Sequence, residues 1–174
     1  MNLPNKLTVL RVIMIPVFIV FLMMESVPNH NWIALGIFIA ASVTDLLDGL
    51  IARKYNLVTN FGKFMDPLAD KLLVCSALIG LVELARIPAW MVIIIIGREF
   101  IISGFRLVAA DNGVVIAAGF LGKLKTIVQM VMVCMLIGDL AVLKPLTAIV
   151  TWAAIILTVV SLVDYLAKNR EVMK

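Results

Sequence analysis

Residues 45–70 read DLLDGLIARKYNLVTNFGKFMDPLAD, and the pattern D-x2-D-G-x2-A-R-x8-G-x3-D-x3-D inside them lies between long apolar runs. If the flanking runs are helices, Asp45 and Asp48 are three apart and share one face, while Asp66 and Asp70 are four apart and share another. Two carboxylate pairs then face each other across a short hairpin. Four carboxylates that close cannot all stay ionised in a low-dielectric setting unless positive charge sits between them. A divalent cation, or two, is the simplest occupant, and all-oxygen ligation favours Mg²⁺, Mn²⁺ or Ca²⁺ over zinc. Because Mg²⁺ commonly combines a few carboxylates with substrate phosphates, a phosphate-bearing substrate is expected. The plainer alternative makes these acids helix caps and interfacial charges at a loop between two spans. Two pairs at helical spacing beside Gly49, Ala52 and Arg53 weigh against it, since ionisable residues within spans are costly and usually functional.

Outward from this stretch, composition sets the fold class. Hydrophobic residues make up 63% of the 174 and charged residues 15%, with a mean hydropathy of +1.13. A soluble domain of this size would have too little polar surface to cover itself, so an all-α integral membrane protein is expected. The apolar runs are 7–24, 32–50, 61–84, 89–110, 120–140 and 145–167. Each is near the roughly 20 residues that a helix needs to cross the hydrocarbon core. Six transmembrane helices follow, and residues 1–174 form one membrane domain without internal repeats or a long linker.

Lysines and arginines set the orientation. One side collects Lys6, Arg11, Arg53, Lys54, Lys63, Arg106, Lys123, Lys125, Lys168, Arg170 and Lys174, and the other only Arg86 and Lys144. Both termini and the Asp cluster are therefore expected in the cytoplasm, with Trp32 and Trp90 starting two spans at the far interface. The first run has no small-residue cleavage site after it and is expected to be retained rather than removed as a signal peptide. The net charge of +4 suits loops lying over anionic lipid, and nothing suggests nucleic acid. Cys75 and Cys134 lie in separate spans without metal-ligand spacing and read as small buried hydrophobes. His30, the single histidine, is expected in a far-side loop, which leaves carboxylate or lysine for proton transfer.

The Asp pattern resembles the signature of the CDP-alcohol phosphotransferases, integral membrane enzymes that move a phosphatidyl or similar group from a CDP-linked donor to an alcohol. Every specified position is present: Asp45, Asp48, Gly49, Ala52, Arg53, Gly62, Asp66 and Asp70. The resemblance implies metal ligation by Asp45, Asp48, Asp66 and Asp70, with Mg²⁺ or Mn²⁺ in two sites and Asp70 also the general base. It assigns Gly49, Ala52 and Arg53 to the cytidine diphosphate part of the donor, and Thr59, more weakly, to the same role. Packing against a neighbouring helix explains Gly49 and Ala52 equally well, whereas the guanidinium of Arg53 suits phosphate oxygens. Pro67 directly follows Asp66, so Asp66 is expected to cap the third span with the proline in its first turn.

Upstream, Asn5, Thr8 and Arg11 are three apart on one helical face. They read either as a capped helix start with an anchoring arginine or, since a similar N-terminal segment lines the nucleotide site in that family, as residues at the donor. By that likeness Thr8 and Arg11 are expected to touch it. Downstream, Arg98 in GREFIISGFR lies eight residues beyond Trp90, about 12 Å along a helix, where a guanidinium needs a partner or a wet cavity. Glu99 is adjacent but points elsewhere on a helix, so it need not be that partner. Arg106 follows two turns on. In GKLKTIVQM, Lys125 and Gln129 are four apart with Thr126 beside them, a face that can hold an anion and hydroxyls, although Lys123 and Lys125 also read as ordinary positive-inside anchors.

Both segments resemble those of one subgroup of the family, the bacterial phosphatidylglycerophosphate synthases. The resemblance implies CDP-diacylglycerol as donor and glycerol 3-phosphate as acceptor, at the cytoplasmic face of the inner membrane. Arg98, Arg106, Lys123, Lys125, Thr126 and Gln129 then supply the acceptor-phosphate site. Homodimers are common among such proteins, an expectation that comes from the resemblance alone. Tyr165, Lys168 and Arg170 read as an interfacial ending without chemistry. The alternatives are a relative with another acceptor (inositol phosphate, serine or a lipid), an intramembrane prenyltransferase, whose Asp motifs usually lie farther apart, and a small divalent-cation channel or carrier.

Overall fold

The computed structural model describes the backbone of residues 3–54, 60–111, 113, 116 and 119–170, and the side chains of these apart from 3–5, 45–54, 60–64, 66 and 67. Among the described residues each apolar run is a helix: α1 (Leu3–Met23), α2 (His30–Lys54), α3 (Asn60–Glu83), α4 (Ala89–Asp111), α5 (Phe120–Gly138) and α6 (Lys144–Lys168), with a short 3₁₀ turn, Ala141–Leu143, before the last. Among the described residues three helical stretches are long and apolar enough to cross a membrane: Lys6–Met23, Phe120–Gly138 and Ala141–Lys168. The other three helices carry more charged residues. In α2 the apolar part is His30–Thr44, ending where the first carboxylate pair begins. α3 has Lys63, Asp66, Asp70 and Lys71 in its first half, and α4 has Arg98, Glu99 and Arg106.

Two local expectations are corrected. His30 is the first residue of α2 rather than part of a loop. α3 begins at Asn60, so Asp66 lies inside the helix and is not its cap, and Pro67 falls beyond the first turn. A proline there removes one backbone bond, at a cost of about 3 kcal/mol in water, which helices in apolar surroundings tolerate when neighbours re-satisfy the freed carbonyl.

The chain forms two compact units, the first from Met1–Arg86 with Ile137–Asp139 and the second from Ile87–Leu136 with Leu140–Lys174. In the first, α1 packs along both α2 and α3. Its buried stripe is Thr8, Arg11, Ile15, Phe18 and Leu22, the alternation of three and four that keeps one side of a helix toward its neighbours. Phe18 meets Phe38 of α2 at 5.6 Å between ring centroids, and Arg11 reaches Ala41, so α1 and α2 run antiparallel. Gly80 of α3 lets that helix close on α1: a Cβ there would stand 2.9 Å from a methyl of Leu22 and 3.0 Å from the end of Met23.

The α3 C-terminus is closed by main-chain bonds. Arg86 N–H donates to Leu81 O at 2.9 Å and Ala85 N–H to Val82 O at 2.9 Å, a Schellman arrangement with Ala85 in the left-handed position at φ 54°, where glycine is the usual occupant. The Arg86 side chain then donates to Ile137 O at 2.9 Å and to Asn31 Oδ1 at 2.9 Å, with Asp139 3.8 Å away. It thereby satisfies a carbonyl at the end of α5, one of those that no helix can satisfy for itself.

In the second unit α4 packs on α6. The buried residues of α6 are Thr151, Ala154, Ile155, Thr158, Ser161 and Tyr165, mostly small, which allows close approach of helices in apolar surroundings. Thr151 and Thr158 donate their hydroxyls to the carbonyls of Thr147 and Ala154, each at 2.7 Å. These hydroxyls therefore need no partner on another helix. Trp90 and Trp152 lie 6.0 Å apart between ring centroids.

Relief of the left-handed strain at Ala85 should make Ala85→Gly more stable by about 1 kcal/mol. Arg86→Ala should be less stable by roughly 2 kcal/mol through loss of its charged hydrogen bonds. Thermal unfolding of purified protein in detergent reads both, and equal midpoints would remove the capping role.

Candidate functional site

Two polar clusters stand on otherwise apolar helix faces, one in each unit. In the first, Thr8 is 1% exposed and Arg11 0%, so Arg11 is a buried cation and not a surface anchor. Its Nε donates to Ala41 O at 3.3 Å, and the same carbonyl accepts from Thr44 Oγ1 at 2.7 Å. The buried stripe of α2 runs Ala34, Phe38, Ala41. Continued by four and three residues along a helix that reaches Lys54, it arrives at positions 45, 48 and 52. Antiparallel to it, α1 carries Thr8 one turn before Arg11, so position 8 belongs to the same end of the unit as position 45. In α3 the stripe Leu81, Ala77, Leu73 and Ala69 leads back to position 66, with half-buried Asp70 beside it.

The backbone thus sets Asp45 and Asp48 three apart on α2, and Asp66 and Asp70 four apart on α3, with both helices in one unit. The side chains of Asp45, Asp48, Gly49, Ala52, Arg53 and Asp66 lie outside the described residues, as does all of Thr59. As a donor set, four carboxylates on two helices of one unit fit one or two hard divalent cations, whose ligands are oxygens.

The second cluster is described atom by atom. Lys125 of α5 is 1% exposed at its side chain and pairs with Glu99 Oε1. Arg98 Nη1 donates to the same oxygen at 3.0 Å, and Arg98 Nη2 to Ser161 Oγ of α6 at 3.3 Å. Glu99 is therefore the partner of Arg98. The expectation that it need not be rested on the 100° between successive helix positions, which a long, flexible arginine side chain can bridge. A Cβ at Gly122 would lie 3.4 Å from Arg98 Nη2, in ordinary contact with the guanidinium.

The remaining candidates separate around this core. Gln129 follows Lys125 on the buried stripe of α5, and its Oε1 is buried with no hydrogen-bond partner among the described residues, as is Arg98 Nε. Lys123 and Thr126 are on the exposed side of α5, and the Thr126 hydroxyl donates to Gly122 O at 3.0 Å. Arg106 lies over the ring of Tyr165, 5.8 Å from its centroid, an approach that suits a cation and an aromatic face. Tyr165 is 8% exposed and also packs edge-on against Phe105. Its ring is thus buried against α4. Ser161 escaped the sequence reading, and Tyr165 carried no chemistry in it: α6 has no motif, and a serine on an apolar helix looks like packing until the residue opposite it is known.

A family model for CDP-alcohol phosphatidyltransferases matches residues 1–160. The chain belongs to the CDP-alcohol phosphatidyltransferase family. Its relatives include the CDP-diacylglycerol–glycerol-3-phosphate 3-phosphatidyltransferase of Bacillus subtilis (strain 168), 47% identical with 99% of this chain and 97% of the relative aligned. Proteins of the same name from Haemophilus influenzae and Rickettsia typhi are 42% and 40% identical. They align over 95% and 94% of this chain and 91% and 94% of their own lengths. The family model spans both polar clusters of this CDP-alcohol phosphatidyltransferase, the acidic helices α2 and α3 as well as the Arg98–Glu99–Lys125 group.

Ser161→Ala removes one hydrogen bond from the guanidinium of Arg98 without touching its charge partner. A stability loss of about 1 kcal/mol is expected, read as a lowered thermal midpoint, and an unchanged midpoint would show that the bond carries no weight.

Proposed function

We propose that this chain transfers the phosphatidyl group of CDP-diacylglycerol to glycerol 3-phosphate, giving phosphatidylglycerophosphate and CMP. The observation that carries this reading is the likeness to the Bacillus subtilis enzyme over nearly the whole of both chains, since that enzyme's name states both substrates. The acidic pattern on α2 and α3 and the buried cations of α4 and α5 supply the two kinds of chemistry such a reaction needs.

In the proposed reaction Asp70 takes the proton from the primary hydroxyl of glycerol 3-phosphate. The oxygen forms a bond to the phosphorus that carries diacylglycerol, the bond from that phosphorus to the CMP oxygen breaks, and CMP leaves. Asp45, Asp48, Asp66 and Asp70 hold two Mg²⁺ or Mn²⁺ ions, which supply charge neutralisation at the pyrophosphate and the leaving group. Thr8, Arg11, Gly49, Ala52, Arg53 and Thr59 bind the cytidine diphosphate part of the donor. Arg98 and Lys125 bind the acceptor's own phosphate, with Arg106, Lys123, Thr126 and Gln129 around them.

All six helices are proposed to span the bacterial inner membrane as one domain, with both termini and the site at the cytoplasmic face. The uneven distribution of lysine and arginine along the sequence supports that orientation. Homodimers are the expected assembly.

Purified protein incubated with CDP-diacylglycerol, Mg²⁺ and a panel of alcohols should yield phosphatidylglycerophosphate, identified by mass, only with glycerol 3-phosphate. A different lipid product would reassign the acceptor. Asp70→Asn should lower kcat by roughly 10²–10⁴-fold. Asp48→Asn and Asp66→Asn should abolish metal-dependent CMP release, and normal turnover in either would defeat the metal assignment. Arg98→Ala should chiefly raise the KM for glycerol 3-phosphate.

A further inference from the structure

We infer that Tyr165 is a further binding residue of the acceptor site: its phenol hydroxyl donates to a phosphate oxygen of the acceptor, beside the guanidinium of Arg98. The inference rests on the assignment of Arg98 to the acceptor's phosphate.

Three buried polar atoms of the second unit have no hydrogen-bond partner among the described residues: Arg98 Nε, Gln129 Oε1 and Tyr165 Oη. They come from α4, α5 and α6, one each, and their residues are 8%, 6% and 8% exposed. Arg98 belongs to the polar group already described. Gln129 stands one turn beyond Lys125 on α5, and Tyr165 one turn beyond Ser161 on α6, whose Oγ accepts from Arg98 Nη2 at 3.3 Å. Residues four apart share a helix face, so Tyr165 lies with Ser161 on the side of α6 that meets α4. Its ring contacts agree with this: Phe105 of α4 packs edge-on at 5.8 Å, and the Arg106 guanidinium lies 5.8 Å from the centroid. The phenol is thus set on the α4 side of α6, in the company of two arginines.

A buried phenol hydroxyl normally finds a partner, and one left unpaired costs free energy. Thr151, Thr158 and Ser161, on the same buried side of α6, avoid that cost by donating to carbonyls of their own helix. Tyr165 cannot, because its ring carries the hydroxyl well beyond the helix backbone. The three orphan atoms differ in kind: Arg98 Nε and the phenol can donate, and Gln129 Oε1 can only accept. A ligand that satisfies all three offers acceptor oxygens and a hydroxyl of its own, as a phosphorylated alcohol does. Its phosphate suits the donor side, since guanidinium and phosphate form charge-assisted hydrogen bonds. Tyr165 touches the acceptor's phosphate and not the reacting atoms, while the face of its ring holds Arg106.

Tyr165→Phe tests this, because it keeps the ring and removes only the hydroxyl. The KM for glycerol 3-phosphate should rise about tenfold, the effect of one hydrogen bond to a charged group, and by more than the KM for CDP-diacylglycerol. Inorganic phosphate, which stabilises the folded state by binding it, should raise the thermal midpoint of Tyr165→Phe less than that of the wild type. In phosphate-free buffer the midpoint of the variant should be no lower than that of the wild type, since the hydroxyl has no bond in the fold to lose. An unchanged KM for glycerol 3-phosphate, or one raised equally for both substrates, overturns the inference and leaves the hydroxyl to resident water. So does a midpoint lowered in phosphate-free buffer, since the hydroxyl would then serve the fold. Arg98→Ala separates the two levels. If it raises the KM for glycerol 3-phosphate while Tyr165→Phe does not, only the role of Tyr165 falls; if neither variant alters that KM or the stabilisation by phosphate, the acceptor-site assignment itself is wrong, and the role of Tyr165 falls with it.

Discussion

An ionised side chain on a helix this apolar must be compensated where it stands, because water is not at hand to do it. Arg98, Glu99, Lys125 and Ser161 meet that demand with side chains from three helices, and Arg11 meets part of it with a backbone carbonyl of α2. The polar clusters consequently fix the register of the helices around them. A one-residue rotation of α5 would carry Lys125 away from Glu99 and break a buried ion pair, a larger cost than a shift in Leu and Ile packing.

The positions of these clusters follow from continuous helical stripes. On α1, α4 and α5 the same side of the helix that buries aliphatic residues at one end buries Thr8 and Arg11, Arg98, and Lys125 and Gln129 further along. A helix face can change from packing surface to chemical surface without any change in backbone geometry, and that is how a short chain of regular helices carries both a scaffold and a site. The family relationship gives the transition its meaning, since the diphosphate of a CDP-alcohol is an anion to be received beside apolar helices.

Much of this was legible in the sequence. The helix bounds follow from runs of about twenty apolar residues, and the Asp motif points to the family because all eight of its letters stand at the fixed offsets of the signature it resembles. Less legible was whatever depended on the opposite residue. Nothing in the position of Glu99 beside Arg98 tells that a flexible guanidinium doubles back to it, or that Lys125, twenty-six residues on, ends at the same oxygen. Ser161 and Tyr165 belong to a helix without a motif, and their burial depends on α4. The start of α3 was misread because Pro67 looks like a first-turn proline until the helix is seen to run through it.

The closure of α3 by Arg86 has an implication for how the protein is made. Its side chain reaches Asn31 and Ile137, and the first unit includes residues 137–139. The ribosome finishes α1, α2 and α3 some fifty residues before the last piece of their own unit exists. Until residues 137–139 have been made, Arg86 lacks its contacts with Ile137 and Asp139, and the early helices must wait for a late segment to complete their unit.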